Sequence, residues 1–216
     1  MPQLIPAGFD MKLTTPKKNR EETQVFLNEK PENFAVQRFV VPYGYRLLIG
    51  SKKMHGDGEH QTICLVTDSK ESETVYKVKM IVRNEPNAYL SCKNCTQLIV
   101  WRSTSGKHRF VTSGFPSLVF NHLLQTHDIM ITDEQQTDDG RRFWLDRIGE
   151  ALYVPEQFVY YVDLNELNSD LAPKISKIDN EDELFETYVP KGWGDDESDK
   201  NKAFVISRRD LSTLTS

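Results

Sequence analysis

Two short apolar runs, Ile129-Met130-Ile131 and Phe158–Val162, do not alternate in polarity, and the segment between them repeats at helical spacing. Trp144, Ile148 and Leu152 fall at i, i+4 and i+8, with Leu145 and Ala151 widening the stripe. Thr137 is placed to cap this helix, and Asp138 and Asp139 stand in its first turn, where the helix dipole favours negative charge. Arg141, Arg142, Asp146, Arg147 and Glu150 mark the polar face. Unalternated strands on either side of an amphipathic helix read as a βαβ crossover. Its strands are expected to be parallel, central and covered on both faces.

The N-terminal half has a different period. Arg38–Val41, Tyr45–Ile49, Gln61–Thr67, Thr74–Arg83 and Gln97–Arg102 are rich in β-branched and aromatic residues. In Thr74–Arg83, Tyr76, Val78 and Met80 take one face while Lys77 and Lys79 take the other. Gln97–Arg102 is expected to pair as a hairpin with Arg109–Val111, and Phe115-Pro116 to open a helix with Val119, Phe120, Leu123 and Leu124 inside. Ala203–Ser207 reads as a last strand at a sheet edge. The fold class expected is therefore α+β, a β-rich N-terminal part with a βαβ-containing C-terminal part on a mixed sheet. The expected divisions are an extended polar arm over 1–34 (with one short element at Thr23–Leu27), a β-rich portion over 35–95 and an α/β portion over 96–216.

The net charge of −5 is unevenly spread. Residues 1–90 hold 13 Lys/Arg against 11 Asp/Glu, whereas 91–216 hold 14 against 21. An acidic C-terminal half argues against a nucleic-acid partner, because phosphate neutralisation needs a basic face. It fits a host protein with a basic surface, or a solvated face that keeps the chain soluble. An odd count of three cysteines over a long chain points to a reducing, cytoplasmic setting. The N-terminus, Met1-Pro2-Gln3-Leu4-Ile5-Pro6, has neither a basic nor an apolar leader region, so no secretory signal is expected. No apolar run reaches the roughly 18 residues that would span a bilayer.

Four places in the sequence carry candidate chemistry. Asp133 and Asp163 end the two βαβ strands, where open α/β sheets bind ligands; together they would hold Mg²⁺ or act as acid and base, or each would form a cap or turn. Cys92 and Cys95 have the spacing of a zinc knuckle, with His55, His60 and Cys64 nearest in sequence as further ligands. His108, His122 and His127 accompany Cys95 and several serines, without a Gly-x-Ser-x-Gly elbow to make a nucleophile of any serine. Trp193, between two glycines and followed by Asp195, Asp196 and Glu197, is a candidate anchor for a partner protein.

The order of elements over 97–163 resembles the core of GNAT-type acyltransferases. That resemblance implies acetyl-CoA as cofactor and a pyrophosphate-binding loop before the long helix, where this chain has Gln136 and Gly140 with Asp138 and Asp139 between them. The run from Ile131 to Trp144 also resembles uncharacterised proteins of phages and other bacterial mobile elements. The leading expectation is a cytoplasmic, non-catalytic accessory protein of the host-takeover or anti-defence kind. It needs no cofactor and binds through Trp193, Asp195, Asp196 and Glu197. The alternatives are a GNAT-like acyltransferase or other small α/β enzyme acting at Asp133 and Asp163, and a zinc-stabilised module at Cys92 and Cys95.

Overall fold

A computed structural model describes residues 3–4, 11–56, 58–83, 95–131, 135–136, 138–167, 173–192 and 201–212. The chain forms two compact units. One contains Ala7–Val82 and Leu98–Leu123; the other contains Met1–Pro6, Arg83–Gln97 and Leu124–Ser216. The fold is α+β, as the change of period predicts.

The first unit is built on strands β1 (Glu32–Asn33), β2 (Tyr45–Ile49), β3 (Lys53–His55), β4 (Gly58–Thr67), β5 (Thr74–Arg83) and the part of β6 (Cys95–Arg102) from Leu98 onward, Cys95–Gln97 belonging to the second unit. Their order is β1-β2-β4-β5-β6, with β3 also on β4. The β1/β2, β2/β4, β3/β4 and β4/β5 pairs are antiparallel. Leu47, Ile63, Leu65, Tyr76 and Val78 are buried, so the alternation read in β5 does face a core.

Helix α1 (Pro16–Asn28) packs on this sheet where an extended arm was expected. Pro16 occupies the first helical position, where its missing N–H costs nothing. The residues that follow are mostly good helix formers. The buried residues of α1 are polar: Asn19 and Thr23 bond to Leu13 and Thr74. Phe26 and Leu27 add an apolar contact with Leu48, Cys64 and Val66.

The expected hairpin at 97–111 does not form. Residues Gly106–His108 make a 3-10 turn that runs into a helical turn, Arg109–Thr112. Thr112 Oγ1 donates to the carbonyl of His108 (3.1 Å), and the His108 side chain is held on both ring nitrogens. Those contacts favour a helical turn over a second strand. Gly114, at φ +70°, then redirects the chain into α2 (Phe115–Leu123). Phe115, Val119, Phe120 and Leu123 are buried there as expected, with Phe115 against Phe39 and Tyr76.

The second unit contains β7 (Asp128–Ile131), α3 (Asp138–Tyr153), β8 (Phe158–Leu167), β9 (Pro173–Ile178), a helical stretch α4 over 181–192, and β10 (Lys202–Ser207). The strand order is β9-β8-β10-β7, with β7 parallel to Cys95–Gln97 of β6. The crossover β7-α3-β8 is present and its strands run the same way, but they are not neighbours. β10 lies between them, antiparallel to both. Ala203–Ser207 is thus a central strand and not an edge. Every one of its residues is buried, because Phe204, Val205 and Ile206 are flanked on both sides by strands. Trp144, Ile148 and Ala151 form the buried stripe of α3. Arg147, read from sequence as part of the polar face, is buried, with its guanidinium 5.7 Å from the centre of the Phe143 ring. Gln3–Leu4 pairs in parallel with Gln135–Gln136.

Candidate functional site

Of the residues singled out from sequence, Asp133, Cys92, Trp193, Asp195, Asp196 and Glu197 lie outside the described residues. Cys95 opens β6, its backbone opposite Asp128 in the parallel register. Among the described residues no three of His, Cys, Asp and Glu are grouped to hold a metal ion.

Asp163 is buried, and both its carboxylate oxygens are engaged. The Tyr161 hydroxyl donates to Oδ2 (3.1 Å) and the Asn165 amide to Oδ1 (2.8 Å). The register between β8 and β9 shifts immediately after it. This is the turn-forming role open to an aspartate at a strand end. Asp128, at the other end of the β7 run, is likewise consumed: Ser207 Oγ donates to it at 2.6 Å, and Arg209 binds both its oxygens.

Charge separates more sharply between the two units than between the halves of the sequence. The first unit holds 15 Lys/Arg and 10 Asp/Glu, a net +5; the second holds 12 and 22, a net −10. Within the second unit, α4 places part of that charge on a defined surface. Asn180 caps it by accepting from the Glu183 amide (2.8 Å), and the Glu183 carboxylate reaches back to the amide of Asp179 (3.0 Å). Glu183 is therefore a capping residue. Glu181, Asp182 and Glu186 remain exposed.

Exposed aromatics accompany these acids. The Tyr153 phenol at the end of α3 bonds to Glu181, which with its charge holds that phenol above its ordinary value. Tyr153 is 71% exposed and its neighbour Val154 42%. Phe185, one helical turn beyond Glu181, is 47% exposed, while Leu184 beside it is fully buried. Exposed apolar surface at Tyr153, Val154 and Phe185 thus occurs in the same unit as the exposed Glu181, Asp182 and Glu186. The sequence held one signal for it: a phenylalanine between Glu183 and Glu186 in a stretch otherwise too polar for a core.

The first unit carries a groove of about 260 Å³ between α1 and the β3/β4 hairpin, lined by Phe26, Glu29, Lys53, His55, His60 and Lys79. Lys53 is paired with Glu29 at 2.7 Å, and the rings of His55 and His60 lie 4.3 Å apart.

Comparison with protein-family models, with curated proteins and with solved structures finds no match for this chain.

Proposed function

We propose that this chain is a non-catalytic binding protein whose acidic unit engages a basic surface of a partner protein. The observation that carries the reading is the concentration of ten net negative charges in one compact unit. The exposed Tyr153, Val154 and Phe185 would supply the apolar anchors, and Glu181, Asp182 and Glu186 the steering charge. Trp193, Asp195, Asp196 and Glu197 are a second set of candidate contacts, read from sequence alone. Among the described residues no helix is long and apolar enough to cross a membrane. The cytoplasmic setting rests on the cysteine count, and the role of a phage- or mobile-element-borne accessory acting on a host protein rests on the resemblance over 131–144.

Charge reversal tests the reading in two steps. Glu181, Asp182 and Glu186 are changed to Lys in one variant, and Asp195, Asp196 and Glu197 in another. Loss of a partner with either variant, with melting unchanged, supports an acidic interface and locates it. Full binding by both overturns it.

A further inference from the structure

His108 is bonded on both sides. Its Nε2 lies 2.9 Å from Glu73 Oε1, and its Nδ1 lies 2.9 Å from the Tyr45 hydroxyl. The three residues come from separate places in the first unit: the start of β2, the residue before β5 and the turn after β6. Lys107 bonds to the same Glu73 oxygen. Burial raises the Glu73 carboxyl, but Lys107 and His108 outweigh it and hold the group below its ordinary value.

For a neutral imidazole the direction of the bonds follows from the groups around it. A carboxylate can only accept, so Nε2 must carry a proton and donate it to Glu73. In the neutral imidazole Nδ1 then has a free lone pair, and the Tyr45 hydroxyl donates to it. Hydroxyl, imidazole and carboxylate therefore stand in the order of a nucleophile, its base and the group that orients the base. Burial holds the Tyr45 phenol above its ordinary value against the pull of Lys107, so the oxygen keeps its proton until a base removes it. Tyr45 is partly exposed while His108 is buried. Phe110, 66% exposed, sets its ring edge-on to Tyr45 with centroids 5.7 Å apart.

Beyond the binding role, and as a single self-acylation without turnover, we propose that Tyr45 is an activated nucleophile toward acyl donors of the ester class, with His108 as its base and Glu73 as the positioning residue. The Tyr45 oxygen attacks the carbonyl carbon as its proton passes to His108 Nδ1. The imidazolium so formed is held by the Glu73 carboxylate. The bond from the carbonyl carbon to the leaving oxygen breaks, leaving an O-acyl tyrosine. The leaving oxygen takes the proton from His108, or departs as an anion and the proton goes to water. Phe110 offers an apolar plate for the acyl group, and the exposed Lys107 and Arg109 favour a donor that carries negative charge.

The chain contains its own reference. Tyr43, two residues away, is fully exposed and makes a simple surface phenol for comparison. The folded protein is treated with p-nitrophenyl acetate, and acetylation at each tyrosine is followed by peptide mass spectrometry. Tyr45 is expected to acetylate roughly tenfold or more faster than Tyr43, as a positioned base would give. Glu73→Gln should cut that ratio severalfold with the melting curve still cooperative. It should also change the pH dependence of labelling, which a merely structural bond would not do. His108→Asn should bring the ratio close to one, and Glu73→Gln carries the test if His108→Asn does not fold. A Tyr45 that labels no faster than Tyr43, or a ratio and pH profile unchanged in Glu73→Gln, overturns the proposal.

Discussion

Asn19 pairs with the backbone of Thr74 much as a neighbouring strand would. Its side-chain Nδ2 donates to the Thr74 carbonyl (2.9 Å), and its Oδ1 accepts the Thr74 amide (2.7 Å). One side-chain amide thus serves both polar groups of a residue at the start of β5. Asn19→Ala leaves these buried groups short of partners, and each such loss costs about 1–3 kcal/mol. Thr23 Oγ1 also accepts the Thr74 amide at 2.9 Å and softens the loss. We expect urea denaturation to show a loss of about 2–3 kcal/mol. A change below roughly 0.5 kcal/mol would mean that α1 is not held by this pairing.

That contact also explains why α1 was illegible in the sequence. Periodicity finds a helix by its apolar face, and the face that α1 buries is led by Asn19 and Thr23. By contrast α3 and its flanking strands could be read directly, because Trp144, Ile148 and the two apolar runs are buried as such runs must be. β10 carries the same signal, a run of apolar residues over Ala203–Ile206, but no local pattern tells a central strand from an edge strand. The Tyr45, Glu73 and His108 contacts span 63 and 35 residues, and no local spacing encodes them. The exposed Phe185 of α4 is legible only as a compositional oddity.

The central place of β10 has a direct consequence. Phe204 is fully buried between strands β7 and β8, with its ring edge-on to Tyr161 at 5.6 Å. Phe204→Ala should cost about 3–5 kcal/mol, the range for deleting a core phenylalanine. An edge position would lose far less, so a cost near 1 kcal/mol by chemical denaturation would contradict the strand order.

Tyr160 ties the end of the described chain to the second unit's core. Its hydroxyl donates to Asp210 and accepts the Leu211 amide, both at 2.9 Å. Tyr160→Phe should cost about 1–2 kcal/mol and speed hydrogen exchange at Leu211. Burial, together with Asp210 and against the amide bond from Leu211, pushes the Tyr160 phenol up to about 12 from an ordinary 10.0. The unfolded chain therefore ionises first as pH rises. This part of the stability is complete below pH 10 and is lost as pH climbs toward 12. The variant should show a shallower alkaline fall; an identical fall would contradict the assignment.

Glu73 gives the opposite dependence. Its folded-state value lies below the ordinary 4.5, so its contribution is present above that value and disappears as acid protonates it in the fold. The stability gap between the native chain and Glu73→Gln should be widest near neutral pH and should close as the pH falls below 4.5 and acid protonates the folded-state carboxylate. Denaturation midpoints measured across that range would show it, and a gap that does not narrow in acid would count against a charged Glu73 in the cluster.

Affinity capture from bacterial lysate at low salt and at about 0.5 M salt, with the native chain beside a Phe185→Ala, Asp182→Lys variant, tests the binding reading most directly. The account expects one stoichiometric partner with a basic surface, retained by the native chain at low salt and released at high salt. It expects the variant, with unchanged melting, to lose that partner at both salts. A partner held equally by the variant, or no partner for the native chain at either salt, would contradict it.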